Sequence, residues 1–379
     1  MPKIIIRETV EPNSLYTGEE VVVFVPGTCD FVDESVADKN NCVLIERGKD
    51  ITKIIRAGTS DDGSYLYVSS LLARGLNILY CKIAKEDLVA DKVSFLKDKN
   101  AYNIRYITSG VYGNMKFTAA AAKETSASFT YSTLSALVDI AKERKDCVVL
   151  ADYEQLAPTV KFSDVYTALQ TVTTSDNSYA ALFSDWGVYS GKTMPPSFFY
   201  LMQAASAIDG GDKWSSVAGV KRGTIGSIYA TPQHYISKYD LDNTYMQKEG
   251  ISFNGFTDIR PYGYTIWGDR TLLANTGSLK ATSFLSIRLL VCDLAKRVYN
   301  TAIYNTFESN SDVTWANYKT PIVELLDQMV ADNKLADYRI TKITPAPSAT
   351  IKCKIRLVPI EPVEDFDITI DLTSGSLEE

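Results

Sequence analysis

Histidine is almost absent from this sequence, since His234 is the only one among 379 residues. Every site of the Ser-His-Asp or Cys-His kind, and every histidine-rich metal site, would therefore depend on this one side chain. It lies in a turn-like Thr-Pro-Gln-His-Tyr context, and we interpret it as a structural or surface residue. The six cysteines show no C-x-x-C spacing, which excludes a local zinc motif and favours free thiols. The sequence therefore predicts no enzyme and no bound cofactor or metal.

Long hydrophobic runs are also missing. The N-terminal segment has only residues 4–6 as an apolar run, which is too short for the core of a signal peptide. The best other candidate, residues 284–295, is interrupted by Arg288 and Asp293 and falls short of the roughly 20 apolar residues that span a bilayer. We therefore expect a protein that is cytosolic where it is made and that does not insert into a membrane.

An excess of positive charge is absent as well. The formal net charge is −7, from 39 basic and 46 acidic residues, and no lysine or arginine follows Arg356. The seven acidic residues beyond that point carry the whole excess, so the rest of the chain is neutral. A nucleic-acid-binding protein normally has a basic face. The charge distribution therefore argues against a nucleic-acid partner.

The first half of the chain contains buried strands that alternate with helical periods. Four segments are apolar throughout: residues 21–25, 76–83, 147–153 and 179–186. Strands of this kind are typical of a parallel sheet that is covered by helices on both faces. Helices are predicted over residues 133–145, with Ser132 or Thr133 as N-cap, and over residues 163–172. We predict a three-layer α/β domain over residues 21–190.

The second half of the chain predicts long helices followed by strands. Residues 281–307 carry apolar side chains at steps of three and four. A second helix should run from Trp315 or Thr320 to Asp332, with Thr320 as N-cap and Pro321 as the first helical residue. Residues 338–343 and 351–358 indicate strands, and residues 3–7 and 366–372 indicate strand-forming arms at the two termini.

Two local patterns look like ligand sites but lack the required spacing. Residues 187–193 resemble a phosphate-binding loop, yet only three residues separate Gly187 from Gly191, and Pro195 and Pro196 follow where the helix should begin. The acidic glycine turns at residues 61–63 and 209–212 lack the spacing of a calcium loop. We interpret all three segments as ordinary turns.

The two arms need a sheet edge, because a lone strand leaves its backbone donors and acceptors unpaired. A neighbouring subunit could provide that edge by strand addition, or the arms could fold back onto their own domain. Repeated head-to-tail exchange builds rings or helical filaments. Basic and acidic arm residues are compatible with such pairing. The residues concerned are Lys3, Ile4, Ile6 and Arg7 in the N-terminal arm, and Asp365, Phe366, Asp367, Ile368, Ile370 and Asp371 in the C-terminal arm.

Residues 262–272, which contain Trp-Gly-Asp-Arg-Thr-Leu, resemble a segment of the contractile tail sheath proteins of bacteriophages. Downstream, residues 284–290, the Phe-Glu-Ser-Asn segment at 307–310 and a later tryptophan agree in order and spacing, and residues 195–197 and 214–223 agree upstream. Leu289 and Val217 depart from the family pattern. The matching positions are Trp214, Gly219, Arg222, Trp267, Gly268, Arg270, Arg288, Glu308, Asn310 and Trp315.

The resemblance implies a mixed α/β and α+β fold with four parts. These are an N-terminal arm (1–20), an outward-facing α/β domain (21–190), a sheath core domain (191–345) and a C-terminal strand with an acidic arm (346–379). It implies a non-enzymatic subunit that is assembled in the host cytoplasm into a virion tail. The subunit polymerises around a tail tube and contracts to drive the tube through the host envelope, with baseplate and tail terminator proteins as further partners.

Roles for individual residues follow from the same resemblance. We expect Trp267 and Trp315 to anchor the core, and Arg270, Arg288 and Glu308 to form a buried or half-buried ion network. A flavodoxin-like or nucleotide-binding enzyme that uses the α/β domain is the alternative function.

Overall fold

A computed structural model describes residues 21–58, 62–120, 126–226, 234, 236–246, 249–344 and 349–364. Both predicted arm strands, with all ten arm residues named above, lie outside these described residues. Residues 190 and 191, where we place the boundary between the two predicted domains, lie inside them.

The described residues form sixteen strands and eight helices. The strands are β1 (Val22–Gly27), β2 (Asp30–Phe31), β3 (Cys42–Ile45), β4 (Ile55–Arg56), β5 (Asn77–Lys82), β6 (Tyr106–Ile107), β7 (Lys116–Thr118), β8 (Ser128–Thr130), β9 (Val148–Ala151), β10 (Ala180–Leu182), β11 (Gly187–Tyr189), β12 (Lys192–Met194), β13 (Gly255–Ile259), β14 (Gly263–Trp267), β15 (Leu335–Lys342) and β16 (Cys353–Pro359). The helices are α1 (Ser64–Ala73), α2 (Ala90–Val93), α3 (Ser132–Arg144), α4 (Phe162–Leu169), α5 (Pro196–Asp209), α6 (Lys238–Asp240), α7 (Leu285–Tyr304) and α8 (Asp312–Ala331).

A six-stranded sheet in the order β10-β9-β6-β1-β5-β3 organises the first half of the chain. Five strands are parallel, and the edge strand β3 is antiparallel to β5. Numbered along the chain, the parallel strands have the order 2-1-3-4-5, which is that of flavodoxin-like doubly wound sheets. The four apolar segments correspond to β1, β5, β9 and β10, so the predicted parallel sheet is confirmed.

The sequence did not predict two strands of this sheet, β3 and β6. Strand β6 contains only two residues, which is too short for a hydrophobic period to register. Strand β3 mixes buried and exposed positions because it lies at the edge of the sheet. Short central strands and edge strands therefore carry the weakest sequence signals in this fold.

One hydrophobic core contains residues from both sides of residue 190. Phe198, Phe199 and Leu201 of α5 and Leu285 and Leu289 of α7 join the core of the sheet. A smaller cluster holds α7 and α8 together with the β15–β16 hairpin and includes Trp214. The four-part division of the chain stays a prediction, but the two central parts share buried surface.

The start of α8 corrects a predicted boundary. The helix begins at Asp312, and the Ser311 hydroxyl accepts the Thr314 N–H at 3.2 Å, so Thr320 is not the N-cap. Pro321 lies inside the helix at a cost of about 3 kcal/mol. Burial of the apolar stripe, which runs from Tyr318 to Met329 across the proline, offsets that cost at about 1.5–3 kcal/mol per large side chain.

Two further helix starts differ from the prediction. Helix α3 has Tyr131 at its N-cap position without a side-chain hydrogen bond, so neither Ser132 nor Thr133 caps it. Helix α7 begins at Leu285, after a 3₁₀ turn over Ala281–Ser283, and ends at Tyr304. Periodicity located both helices, but the first turns depend on contacts with other parts of the chain.

The segment that resembles a phosphate loop is a β-hairpin. Strands β11 and β12 pair through a two-residue turn, in which Ser190 and Gly191 have φ angles of 49° and 78°. Positive φ at both central residues is typical of a type I′ turn. Asp62 and Asp212 also lie in turns, where Asp62 accepts the Ser64 N–H at 2.9 Å and Asp212 pairs with Arg222. The interpretation as turns is confirmed for residues 187–193 and 210–212, whereas Asp209 ends α5 and Asp61 lies outside the described residues.

The described residues contain neither a cluster of metal ligands nor a helix that could span a membrane. They contain no group of three or more His, Cys, Asp or Glu side chains that could hold a metal ion. None of the helices in the described ranges combines the length and the apolar character that a bilayer span requires.

We predict that Gly110→Ala destabilises the junction between β1 and β6. Gly110 has a φ of 57°, and a Cβ placed there would lie 2.3 Å from the Pro26 carbonyl oxygen. Gly48→Ala is the matched control, because Gly48 has a φ of 80° and open space around the Cβ position. We expect the control to cost about 1–2 kcal/mol from φ strain alone, and Gly110→Ala at least about 2 kcal/mol more. Equal midpoints of urea unfolding for the two variants would contradict this close approach.

Candidate functional site

The carboxyl edge of the parallel sheet is where doubly wound folds bind ligands, at the point where the strand order reverses. That point lies between β1 and β6 in this chain. Gly110 approaches the Pro26 carbonyl there, and the Met194 side chain lies 3.5 Å from the Cβ position of Gly63, directly before α1. The chain's own residues therefore narrow the crevice between β1 and β6.

A buried carboxyl group caps helix α5 at the same edge of the sheet. Asp152 directly follows β9, and its Oδ1 accepts the Ser197 N–H at 2.9 Å in the first turn of α5. Ser197 Oγ lies 3.2 Å from the Tyr67 hydroxyl, and all three residues are buried. Burial raises the pKa of Asp152 to about 7. The first turn of helix α5 is therefore capped by a residue at the end of β9.

His234 lies beside a carboxylate near the same edge. Its Nδ1 is 3.3 Å from Asp185 Oδ2, and its backbone N–H donates to the same oxygen. The hydrogen bond with Asp185 raises the pKa of His234. Asp185 also accepts the Trp186 N–H at 2.7 Å and the Tyr153 hydroxyl at 3.3 Å. These backbone and core contacts favour the structural role that the sequence predicted.

The Trp-Gly-Asp-Arg-Thr-Leu segment, residues 267–272, lies between β10 and the start of α7. Asn254 holds it in place: Asn254 Oδ1 accepts the Arg270 N–H at 2.6 Å, and Nδ2 donates to the carbonyls of Arg270 at 2.9 Å and Leu182 at 3.0 Å. Gly268 has a φ of 113°, and a Cβ there would lie 2.7 Å from Asn254 Oδ1. Only glycine fits at this position.

Asp269 connects the same segment to α7. Its carboxylate accepts the Ser286 N–H at 3.3 Å and its carbonyl accepts the Leu285 N–H at 2.8 Å, so it supplies the cap that Phe284 cannot. Burial raises the pKa of Asp269 to about 7. The adjacent Leu272 N–H donates to the Ala180 carbonyl at 2.8 Å. Residues 267–272 therefore join the edge strand β10 to the start of α7.

Arg270 fixes the point where the C-terminal arm departs. Its side chain is 2% exposed, its guanidinium lies 4.9 Å from the centre of the Phe284 ring, and it forms an ion pair with Glu364. Glu364 directly precedes the C-terminal arm. The sequence analysis missed Glu364, and the only signal for it was its place at the start of the acidic segment.

The predicted network of Arg270, Arg288 and Glu308 is not present. Arg288 is buried against Tyr179, with its guanidinium 4.3 Å from the ring centre, and its Nε donates to the Ser178 carbonyl at 3.1 Å. Glu308 is exposed beyond the end of α7. Arg288 lies about 24 Å along the helix from the end of α7 at Tyr304, and Glu308 lies beyond that end. The two arginines are buried as expected, but in separate environments.

Trp214 belongs to a different buried cluster, which the sequence analysis did not assemble. Asp293 Oδ2 accepts the Trp214 Nε1–H at 2.8 Å and forms an ion pair with the buried Arg105. Arg105 also donates to the Lys213 carbonyl at 2.9 Å. Asp293 was visible in the sequence as an interruption of an apolar helix face. It connects α7 to the start of β6 and to the loop after α5.

The remaining family positions lie at the margins of the core. Trp267 is half-buried and donates to Asp242 Oδ1 at 2.6 Å, and Trp315 is half-buried beside Tyr318. Both pack against a core cluster without being enclosed by it. Arg222 donates to Asp212 at 2.8 and 2.9 Å, Gly219 has a φ of 78°, and Asn310 is exposed.

No protein-family model and no curated protein sequence matches this chain. Solved structures do match over nearly the whole length. A chain of the helical sheath of the anti-feeding prophage in its contracted state is 16% identical, with a TM-score of 0.68 over 99% of each chain. A chain of the contracted sheath of the extracellular contractile injection system PVC is 16% identical, with a TM-score of 0.67 over 99% of this chain and 98% of that one. The sheath tail protein of Desulfitobacterium hafniense is 9% identical, with a TM-score of 0.53 over 94% of this chain and 100% of that one.

These likenesses define the fold. The chain is a mixed α/β protein, and its fold matches that of contractile sheath chains over nearly their whole length. The fold is that of contractile sheath proteins, and the fold class implied by the sequence resemblance is confirmed.

We predict that Asp152→Asn changes how the free energy of unfolding depends on pH. The folded pKa of about 7 exceeds the ordinary 3.8, so the folded state holds a proton that the unfolded state loses. Stability should therefore fall as the pH rises from about 4 to 7, by a loss on the order of 4 kcal/mol from this group. The asparagine lacks that term, so its stability relative to the wild type should increase with pH. Urea unfolding at several pH values measures this, with the exposed Asp139→Asn as control. Parallel profiles for Asp152→Asn and the wild type would refute the assignment.

Proposed function

We propose that this chain is the structural subunit of a contractile tail sheath. Copies polymerise as stacked rings or helical strands around a tail tube, and the assembly contracts to drive the tube through an envelope. The observation that carries this proposal is the β15–β16 hairpin, which ends directly before the C-terminal connector. The likeness of the fold to contracted sheaths over 98–99% of the chains supports it.

The hairpin has the properties of a strand acceptor. It is a separate two-stranded sheet, and within the described residues no third strand pairs with either edge. A lone two-stranded hairpin is marginally stable in water. Its inner positions, among them Ile340, Ile355 and Leu357, are only partly buried against the cluster of α7 and α8. An added strand would bury more of this face and satisfy the open backbone groups.

The outer face of the hairpin is basic. Arg339 lies directly opposite Arg356, and Lys354 lies opposite Thr341. Like charges at opposed positions destabilise a sheet. The C-terminal arm alternates acidic with apolar residues, so a strand of that arm can place its aspartates on the basic face and its apolar residues on the inner face. We propose that the C-terminal arm of a neighbouring copy pairs with this hairpin, and that Lys3 and Arg7 of an N-terminal arm adjoin the same acidic strand.

The turn between α7 and α8 adds a second surface that favours assembly. Four large apolar side chains are exposed there: Ile303 at 47%, Tyr304 at 59%, Phe307 at 102% and Val313 at 70%. Clustered exposed apolar groups on a soluble chain mark interaction sites. Contact with another subunit in the assembly would cover them.

The remaining parts of the proposal follow from the sheath assignment. The α/β domain faces outward, and the tail tube, baseplate and tail terminator proteins are the partners. The protein is assembled in the host cytoplasm and resides in the virion tail. We favour a phage tail over other contractile injection machines, and neighbouring terminase and capsid genes would support that choice. A neighbouring AAA-type ATPase gene would favour a secretion system instead.

We predict that the purified full-length chain forms tubes or striated polysheath that negative-stain electron microscopy detects. Removal of residues 365–379 should leave a folded monomer that forms none, because it keeps the Arg270–Glu364 ion pair but lacks the donated strand. A deletion of residues 375–379 is the control, and it should still form tubes. A full-length chain that stays monomeric at high concentration would overturn the sheath proposal. Tubes from the longer deletion would overturn only the role of the arm.

We predict that the double change Arg339→Glu and Arg356→Glu weakens polymerisation by reversing the outer face of the hairpin. At about 0.2–1 kcal/mol per cross-strand pair, the critical concentration should rise about 2- to 30-fold. Adding Asp367→Lys and Asp371→Lys to the same chain should restore it. The control is Lys39→Glu with Lys49→Glu, two exposed changes in the α/β part. Pelleting assays over a concentration series measure all four proteins, and a lack of rescue would show that these charges do not meet.

A further inference from the structure

Cys42 and Cys81 lie directly opposite one another in the central sheet. Cys42 is the first residue of β3, and the antiparallel register pairs it with Cys81 of β5. Both side chains are buried, at 2% and 1% exposure. Opposed residues of an antiparallel pair place their side chains on the same face of the sheet.

The pair occupies a non-hydrogen-bonded position of the ladder. The Cys42 N–H donates to Asp38 Oδ1 at 2.9 Å, and the Cys42 carbonyl accepts the Asp38 N–H at 2.8 Å, so neither backbone group bonds to Cys81. The next pair, Asn41 and Lys82, does form a ladder hydrogen bond at 2.9 Å. Non-hydrogen-bonded pairs have Cα atoms about 4.5 Å apart, which lies within the range that a disulfide spans.

The two thiols also converge on one atom. Cys42 Sγ donates to the Asn40 carbonyl oxygen at 3.6 Å, and Cys81 Sγ donates to the same oxygen at 3.5 Å. Both sulfur atoms therefore lie on the same side of the strand pair, next to one carbonyl oxygen. Cys147 and Cys292 contrast with it, because they lie before β9 and on α7 rather than in a strand register.

A cavity adjoins one of the two cysteines. It has a volume of about 280 Å³ and is lined by Asn40, Cys81, Lys82, Asp87, Lys92 and Phe95 among others. Cys42 is not among the lining residues. The hydrogen bond with Cys81 and burial raise the pKa of Cys42. Cys81 is thus the thiol that a small reagent reaches first.

We propose that Cys42 and Cys81 are a redox-sensitive pair that forms a cross-strand disulfide with a low-molecular-weight disulfide as oxidant. The Cys81 thiolate attacks one sulfur of the oxidant, and the other sulfur leaves as a thiolate. The Cys42 sulfur then attacks Cys81 in this mixed disulfide, and the second half of the oxidant leaves. The protons of the two cysteine thiols pass to the two released thiolates, so one protein disulfide forms and one small disulfide is reduced to two thiols.

The bond would act on the edge of the sheet. Strand β3 is the edge strand, and its hydrogen bonds to β5 are its only ladder among the described residues. A disulfide between residues 42 and 81 would hold that edge closed and lower the entropy of the unfolded chain. This role rests on the proposed function, under which the chain is made in a reducing cytoplasm and later enters an oxidising exterior.

The test treats the reduced full-length chain with 2-hydroxyethyl disulfide, followed by denaturation, alkylation and peptide mapping. We expect the loss of two alkylatable thiols, a peptide pair linked through Cys42 and Cys81, and a higher melting temperature than that of the reduced chain. Cys42→Ala and Cys81→Ala should each abolish the linked peptide and the shift in melting temperature. Cys353→Ala, which leaves the pair intact, should retain both.

Three outcomes would overturn the proposal. They are six thiols that remain reactive after treatment, a linkage that joins other cysteines, and a mixed disulfide at Cys81 that Cys42 does not resolve. Dithiothreitol added to the oxidised chain should restore both thiols and the original melting temperature. None of these readouts depends on tube formation, so failure of the sheath proposal and failure of the disulfide are told apart.

Discussion

The structure depends on how the segment at residues 267–272 is fixed between the sheet and α7. Asn254 forms three hydrogen bonds with Arg270 and Leu182, and Asp269 caps the first turn of α7. Removing one partner of such a buried set leaves the others unsatisfied, at about 1–3 kcal/mol for each group. The same segment then directs Arg270 toward Glu364. The sheet, the long helix and the departure of the C-terminal arm are therefore set by one short stretch of chain.

A buried arginine needs its carboxylate, because desolvation of an unpaired charge costs several kcal/mol. Arg270 obtains one from Glu364, which is far away in sequence, instead of from its neighbour Asp269. Burial raises the pKa of Asp269, and the nearby Glu364 carboxylate raises it further. Asp269 thus caps the helix, and Glu364 pairs with the arginine. In the sheath that we propose, a force on the C-terminal arm would be passed to the core at this ion pair.

The parts of this fold that sequence reasoning predicted are those with local signals. The apolar runs gave the parallel strands, and the periodicity gave α7 and α8. The start of α8 was predicted wrongly because proline is common at the first position of a helix. In this chain the burial of Tyr318 and Met329 on one stripe outweighs the cost of Pro321 inside the helix. Glu364 lies 94 residues from Arg270, and no local pattern links them. Asn254 stands between phenylalanine and glycine with no motif of its own, although a polar residue in an apolar stretch is a reason to suspect a buried hydrogen-bonding role.

A doubly wound sheet more often carries a ligand at its carboxyl edge, so its use as a scaffold needs a physical reason. In this chain, parts of the same molecule narrow the crevice between β1 and β6, and a cavity adjoins the carboxyl end of β5. Asp152 caps the first turn of α5, and Gly110 lets the chain approach Pro26 closely. Among the described residues, the edges of the β15–β16 hairpin and the apolar side chains around the turn after α7 are open as well. The contacts between copies that we propose would use these open groups of the hairpin and the turn.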